Sequence, residues 1–240
     1  MDIKFPSKEE ITICFAHVAY QLESEFESRN TGIRSFQVRT ATGLTSRMPE
    51  TDVLVVSGLW NDSLLDRSDR LSYIQSIGAG FDQFPVDELR SRNIKLSHAS
   101  GVNSNAVSEH AMAMILSFSR QIHLARDNQR RHFWRGMISE VREREDELEG
   151  KTVGIIGLGT IGSRVAKLCK AFGMNVLATR QDVSKGGEMV DVLLPPDRYR
   201  ELMTDSDFVV LTCPLNDQTY QVISKESLQL MKRSAFLINV

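Results

Sequence analysis

The chain of 240 residues is long enough for one large domain or two modest domains, each with its own buried core. Its 41% hydrophobic and 25% charged residues are the proportions of an ordinary soluble globular protein. The 29 lysines and arginines nearly balance the 31 aspartates and glutamates, so no positive surplus favours a nucleic acid or an anionic membrane as a partner.

The cysteines and the amino-terminal residues predict a cytoplasmic protein. Cys14, Cys169 and Cys213 lie far apart and form no Cys-x-x-Cys pair, which is typical of reduced, packed thiols and indicates no metal site. Residues 1–6 are charged and contain no apolar signal core, and no run of the chain approaches the ~18 apolar residues of a membrane span. We therefore expect neither secretion nor insertion into a membrane.

The first hundred residues alternate short strand-like runs with polar helical stretches, which predicts parallel βαβ units. β-Branched and aromatic residues are concentrated in five strand candidates, at residues 11–18, 35–39, 52–57, 73–77 and 94–97. The alternation predicts an α/β lobe over residues 1–100.

A helix is predicted next, with Asn103, Ser104 or Asn105 as its N-cap. Apolar residues at three-to-four spacing predict one buried face, which we interpret as core packing: Val107, Ala111, Met114, Phe118 and Ile122. Residues 140–149 are nearly all charged and of mixed sign, which indicates a solvated helix or a connector.

The motif with the clearest chemical meaning is GLGTIG, at residues 157–162. It follows an apolar strand and opens an amphipathic helix, and a second strand is predicted at 175–179. Gly157 would permit a tight turn, Gly159 would let a pyrophosphate approach the backbone, and Gly162 would let the helix pack closely on the strand. The helix N-terminus would offer free N–H groups to the phosphates. This context predicts dinucleotide binding.

The end of the second predicted strand bears on the choice of cofactor. An acidic residue there would favour NAD, whereas this chain has Thr179 and Arg180. Arg180 would grip a 2′-phosphate through its planar guanidinium, with Thr179 adding a hydroxyl, so we favour NADP over NAD. Asp182 lies nearby and keeps NAD open, and a merely exposed loop arginine is the alternative reading of Arg180.

Residues 234–240 form an apolar run typical of a fully buried parallel strand, and no turn or polar tail follows it. Because natural termini tend to be exposed and polar, we expect the sequence to be truncated here. Such a fragment would leave a sheet edge unprotected and is expected to be marginally stable and prone to self-association.

Several further segments agree with one family and occur in its order. They are residues 77–82, 105–110, 150–157, 207–215 with Thr219, and 231–232 followed by 238–240. On these segments the chain resembles the D-isomer-specific 2-hydroxyacid dehydrogenases over essentially its whole length. The strand end at Thr179 and Arg180, with residues 194–198, is most similar to the glyoxylate/hydroxypyruvate reductase branch.

The resemblance implies an α/β protein of two lobes. A flavodoxin-like substrate lobe would occupy residues 1–100, and a Rossmann-type, doubly wound parallel-sheet lobe for the dinucleotide would occupy residues 101–240. Residues 101–150 would hold the interdomain helix and the charged connector, and the second sheet would be incomplete at residue 240. The implied activity is hydride transfer between NAD(P)H and a small 2-oxo or 2-hydroxy acid.

The resemblance also implies roles for particular residues. Backbone N–H groups of Ala79 and Gly80 would bind the substrate carboxylate, although a simple turn is the alternative reading of these two small residues. Thr160 and Ile161 would lie at the cofactor pyrophosphate. Contacts to the ribose and nicotinamide side of the cofactor are implied for Cys213, Pro214 and Thr219. Trp134 resembles a position that reaches across the family's dimer interface, so we expect a homodimer, although a core or surface tryptophan is an equally good reading.

The family performs its chemistry with an arginine, a glutamate and a histidine that follow the strand at 238–240, and this sequence does not contain them. None of the five histidines is assigned to catalysis: His17, His98, His110, His123 and His132. We therefore assign no catalytic residue and expect the 240-residue chain to be inactive by itself.

A dinucleotide-sensing binding module is the alternative to an enzyme. The C-terminal-binding-protein corepressors are built on the same architecture, and fold alone does not decide function. The arginine at the strand end and the absence of an evident peptide-docking extension favour the enzyme.

Overall fold

The computed structural model describes residues 7–240, so residues 1–6, which contain no predicted secretory signal, lie outside the described residues. The chain divides into two compact units, the first ending at Val102 and the second comprising Asn103–Val240. Among residues 7–240, no helix combines the length and the apolar composition needed to cross a bilayer.

The first unit is built on five parallel strands. They are β1 (Thr12–Ala16), β2 (Arg34–Val38), β3 (Val53–Val56), β4 (Tyr73–Ser76) and β5 (Lys95–His98). Their order is β2-β1-β3-β4-β5, which is the order of flavodoxin-like sheets. The five predicted strands and the flavodoxin-like fold of this unit are confirmed.

Short helices cover this sheet, each through a few apolar side chains. They are α1 (Leu22–Glu27), α2 (Ala41–Arg47) and α3 (Val86–Ser91), with 3-10 turns at Met48–Glu50 and Asp62–Arg67. Leu44 of α2 and Leu89 of α3 are buried in one core with Leu54 and Ile74 of the sheet. The 3-10 turns and loops add further buried residues to this core, among them Met48, Leu64, Leu65 and Phe84.

The second unit contains two helices followed by another parallel five-stranded sheet. Its elements are α4 (Ser104–Ser119), α5 (Ile122–Arg130), β6 (Thr152–Ile156), α6 (Thr160–Ala171), β7 (Asn175–Thr179), β8 (Val192–Leu194), α7 (Tyr199–Asp205), β9 (Phe208–Leu211), α8 (Lys225–Leu228) and β10 (Phe236–Asn239). The order β10-β9-β6-β7-β8 is the doubly wound order of Rossmann sheets. The predicted fold class is confirmed for this unit too.

The buried face of α4 differs from the predicted one. Of the five apolar positions predicted to face the core, Ala111 is buried, Met114 and Phe118 are half-buried and pack against the core, and Ile122 belongs to α5 with 52% of its surface exposed. The buried face consists of Ser104, Ser108, Ala111, Met112, Ile115 and Ser119. The serine side chains are small enough for α4 to pack closely on α6. Residues that are buried for this reason do not appear in the apolar periodicity of the sequence. Gln121, with a φ of 50°, then separates α4 from α5.

The charged segment at 140–149 is a connector. Its only helical turn is the 3-10 turn Val141–Glu143, and Leu148 is buried where the segment approaches β6.

At three places, the aspartate just before a strand forms hydrogen bonds with backbone groups near the start of the neighbouring strand. The Asp52 carboxylate accepts the Thr12 N–H at 2.8 Å, and the Asp52 N–H donates to the Thr12 carbonyl at 3.0 Å. Asp207 makes the same two bonds with Thr152, and Asp191 makes them with Val176. Each carboxylate is also paired with a cation, from Arg70, Lys232 and Lys170 respectively. Buried backbone groups at these strand ends are thereby satisfied.

Candidate dinucleotide-binding site

The turn between β6 and α6 requires glycine at Gly157 for two reasons. Its φ is 103°, in the region that side chains rarely adopt. A Cβ on Gly157 would also lie 2.7 Å from the amide nitrogen of Cys213, because the loop after β9 passes directly over the turn. The first glycine of the motif is therefore fixed by both conformation and space.

The other two glycines of the motif differ from each other. A Cβ on Gly162 would lie 2.4 Å from the carbonyl oxygen of Gly157, so Gly162 allows α6 to pack on the turn. A Cβ on Gly159 would meet nothing within 4 Å, and the Gly159 backbone is ordinary extended chain. No protein atom requires glycine at 159, and the space above it opens into a cleft.

This cleft has a volume of about 910 Å³ and lies at the carboxyl ends of β6, β7 and β9. The strand order reverses between β6 and β9, which is the switch point where doubly wound sheets bind ligands. Seven of the predicted cofactor residues line the cleft: Gly157, Gly159, Thr179, Arg180, Cys213, Pro214 and Thr219. The structure thus brings together segments that are distant in the sequence.

Thr160, Ile161 and Gly162 begin α6 beside the cleft and are not part of its lining. Gly162 is buried in the packing described above. The N–H groups of Thr160 and Ile161 donate to no acceptor within residues 7–240, as expected for the first turn of a helix.

Sequence reasoning did not single out several lining residues, among them Lys185, Tyr199 and Asn216. They follow the ends of β7, β8 and β9. A position just after the carboxyl end of a parallel strand is the sequence feature that could have identified them as site residues.

Thr179 lies at the predicted place but its hydroxyl has a different role from the expected one. The residue is 2% exposed, and its Oγ1 accepts the Gly157 N–H at 3.1 Å. Its carbonyl accepts the Leu158 N–H at 2.7 Å. Across the turn, the Thr212 hydroxyl donates to the Gly157 carbonyl at 2.6 Å. Thr179 at the end of β7 and Thr212 just after β9 thus hold the glycine turn from the two sides of β6.

Charges of both signs surround the end of β7. Arg180 is half-buried, and its Nη1 donates to the Gly186 carbonyl at 2.8 Å, closing the loop that follows the strand. Asp182 accepts the Ser184 N–H at 3.1 Å, and Lys185 Nζ lies 3.8 Å from the other carboxylate oxygen. Hydrogen bonds from the Ser184 hydroxyl and the Ser184 N–H lower the pKa of Asp182, and the nearby cations lower it further.

All three cysteines are free, as predicted. Burial raises the pKa of Cys14 and of Cys169 to about 12, so both remain thiols. Cys213 is half-buried in the cleft, and desolvation raises its pKa as well. Beside it, the Thr219 hydroxyl donates to the Pro214 carbonyl at 2.5 Å, which closes the loop after β9.

Ala79 and Gly80 lie in the first unit, in the exposed loop after β4. The carbonyls of this loop face the protein: the Ser76 hydroxyl lies 3.3 Å from that of Gly80, and the Ala99 N–H donates to that of Gly78 at 3.0 Å. Neither Ala79 nor Gly80 uses its N–H group in a hydrogen bond within the described part of the chain. The loop therefore presents two adjacent free donors.

Comparison with known families decides the affiliation of this chain. The family model for the NAD-binding domain of the D-isomer specific 2-hydroxyacid dehydrogenases matches residues 112–240. The chain belongs to this family. The resemblance that the sequence motifs carry is confirmed.

The curated relatives of this chain include enzymes with different names. The D-3-phosphoglycerate dehydrogenase of Methanocaldococcus jannaschii is 34% identical over 211 residues, covering 85% of this chain and 39% of that protein. The glyoxylate reductase of Thermococcus litoralis is 33% identical over 209 residues, covering 82% of this chain and 60% of that protein. The chain thus spans 39% and 60% of the lengths of these two curated relatives.

Among solved structures, the D-lactate dehydrogenase of Aquifex aeolicus in complex with NAD and lactic acid is similar to this chain. The TM-score is 0.78 at 26% identity, and the match covers 95% of this chain and 68% of that one.

In this dehydrogenase-family chain, Gly162→Ser should destabilise the second unit by about 1–3 kcal/mol, because the new side chain collides with the Gly157 carbonyl. The matched change Gly159→Ser should alter the free energy of unfolding by less than about 0.5 kcal/mol, since its side chain enters open space. Urea unfolding followed by far-ultraviolet circular dichroism measures both. Equal losses would show that the close approach at Gly162 does not explain its glycine.

Proposed function

We propose that this chain supplies the cofactor-binding unit and the substrate carboxylate loop of a D-2-hydroxyacid dehydrogenase. The complete reaction is hydride transfer between NAD(P)H and a small 2-oxo acid of the glyoxylate or hydroxypyruvate type. The observation that carries this proposal is the cleft at the switch point. No protein atom requires glycine at Gly159 in its lining, and the first N–H groups of α6 have no acceptor within residues 7–240.

Each part of the cleft has a proposed task in holding the dinucleotide. Gly159 leaves room for the pyrophosphate, and the N–H groups of Thr160 and Ile161 donate to it with the positive end of the α6 dipole behind them. Cys213, Pro214 and Thr219 line the ribose and nicotinamide side. When bound, the nicotinamide ring supplies or accepts the hydride, and the protein contributes binding and orientation.

The proposed substrate site lies in the first unit. The two free N–H groups of Ala79 and Gly80 donate to the carboxylate of the 2-oxo acid, which favours an anionic end group at this loop. Proton transfer and carbonyl polarisation are not assigned to any residue of this chain, so we propose that the 240-residue chain binds its ligands without turning them over.

Dinucleotide binding by the chain is tested by replacing Gly159. The variant Gly159→Ser should bind NADPH at least about tenfold more weakly than the wild type, because the side chain occupies the space of the pyrophosphate. The matched control is Gly58→Ser, a glycine with equally open surroundings in the first unit, which should leave the affinity unchanged. NADPH fluorescence titration measures both, and unaltered binding by Gly159→Ser contradicts the proposed site.

We also propose that the cofactor is NADP(H). Arg180 has guanidinium donors left over from its bond to Gly186, and a charge-assisted pair with a 2′-phosphate is worth about 1.5–3 kcal/mol, or roughly ten- to 150-fold in affinity. Thr179 supports this only through the turn, since its hydroxyl is occupied there.

The expected result is therefore that wild type binds NADPH at least about tenfold more tightly than NADH, and that Arg180→Asp reverses the preference. Arg39→Asp makes the same charge change at an exposed position of the first unit and should leave the ratio as it is. A wild type that prefers NADH by about tenfold contradicts the assignment of Arg180.

We propose a homodimer formed through α5 and the segment after it. The exposed apolar residues there are Ile122, Leu124, Phe133, Trp134 and Met137, and Trp134 is 95% exposed. An apolar patch of this kind indicates a contact surface, and the family resemblance at Trp134 favours a second copy as the occupant. The Arg135–Glu145 ion pair ties the segment to the connector.

The change Trp134→Ser should convert a dimer to a monomer, because it removes the largest exposed side chain of this surface. The control Phe172→Ser truncates a partly exposed aromatic residue at the carboxyl end of α6, outside the proposed dimer surface, and should leave the mass of the assembly unchanged. Sedimentation velocity distinguishes the two species, and a monomeric wild type refutes the dimer.

A further inference from the structure

His17 follows β1 directly, at the carboxyl end of the strand. In the first unit the strand order reverses between β1 and β3, so His17 stands at the switch point of the flavodoxin-like sheet. None of the roles described above uses this residue.

The imidazole of His17 is held in one orientation. Its Nδ1 accepts the N–H groups of Ala19 at 3.0 Å and of Tyr20 at 2.8 Å. The ring stacks on the ring of Tyr20, with centroids 4.1 Å apart and planes inclined by 10°. Gln37 of β2 in turn donates to the Tyr20 carbonyl at 2.5 Å. The side chain is therefore fixed before any ligand arrives.

This hydrogen bonding also determines the tautomer. Because Nδ1 is an acceptor for two donors, the proton of the neutral ring lies on Nε2. Within residues 7–240 the Nε2–H has no hydrogen-bond partner, and the half-buried ring leaves it one oriented donor for a ligand.

The strand register places His17 level with the loop that holds Ala79 and Gly80. Ala16 is aligned with Val56, and Val56 with Ser76, so β1, β3 and β4 end in one row. Neighbouring strands are about 4.8 Å apart, which puts the two loops roughly 10 Å apart at the edge of the sheet.

A three-carbon acid has a reach, counted from one hydrogen-bond donor to the other, of the same order as this separation of the two loop backbones. Its carboxylate oxygens lie roughly 5 Å from an oxygen on C3. A hydrogen bond of about 2.9 Å at each end extends the total to about 11 Å.

We propose that His17 is a specificity-determining residue whose Nε2–H donates to the C3 hydroxyl of a 3-hydroxy-2-oxo acid held by its carboxylate at Ala79 and Gly80. This inference rests on the proposed function and deepens it: the protein selects a hydroxypyruvate-type substrate over an acid with an apolar C3. The neutral donor matches an uncharged hydroxyl. A second carboxylate or a phosphate at C3 would be better matched by a cationic side chain such as arginine.

The test is nuclear magnetic resonance of the uniformly ¹⁵N-labelled 240-residue chain with hydroxypyruvate and with pyruvate, which lacks only the hydroxyl. Both acids should shift the Ala79 and Gly80 amides. Only hydroxypyruvate should shift the His17 Nε2 resonance, and the His123 ring of α5 serves as an internal control.

The variant His17→Asn sharpens the test, since its amide oxygen can replace Nδ1 as an acceptor while no donor reaches the position of Nε2. It should weaken hydroxypyruvate binding about three- to tenfold and leave pyruvate binding unchanged. His123→Asn should affect neither acid.

The outcomes separate this inference from the proposed function. A His17 ring that ignores hydroxypyruvate, or responds equally to pyruvate, overturns the inference whatever the amides do. Equal weakening of both acids by His17→Asn overturns it as well. A selective His17 response with unmoved Ala79 and Gly80 amides would sustain the donor and refute the proposed carboxylate loop.

Discussion

The second unit depends on the close crossing of two chain segments at Gly157. The turn after β6 lies so close to Cys213 that a Cβ on Gly157 would be 2.7 Å from the Cys213 amide nitrogen, which leaves no room for a side chain. Threonine hydroxyls from β7 and from the loop after β9 hold the two faces of the turn. This crossing determines where α6 begins, and with it the floor of the cleft.

In both units, backbone N–H groups are left available to a ligand in a similar way. In the first unit the hydroxyl of Ser76 lies against loop carbonyls, and in the second Thr212 donates to the carbonyl of Gly157. Once the carbonyls are engaged inside the protein, the neighbouring N–H groups of Ala79, Gly80, Thr160 and Ile161 are left for a ligand. Buried hydroxyls thus determine the direction of the backbone dipoles that meet an anion.

Part of this architecture could be predicted from the sequence, because the most deeply buried strands, β1, β6 and β9, appear as continuous apolar or β-branched runs. The glycine motif could also be predicted: close packing requires Gly157 and Gly162, and Gly159 faces an open cleft. The buried face of α4 could not be read from apolar spacing, because its serines are buried by close packing rather than by hydrophobicity. The direction of the Thr179 hydroxyl could not be predicted either, since it depends on a turn 22 residues away.

The three aspartates that precede β3, β8 and β9 have a consequence for how the sheets align. Parallel strands are joined by long crossovers, so no tight turn sets the offset between neighbours. Each of these aspartates clasps one residue of the adjacent strand through both its backbone and its carboxylate. A slip of one residue would turn every side chain to the opposite face and also leave this clasp open. The same pair of contacts in both units therefore favours one alignment of the strands over the alignments shifted by one residue.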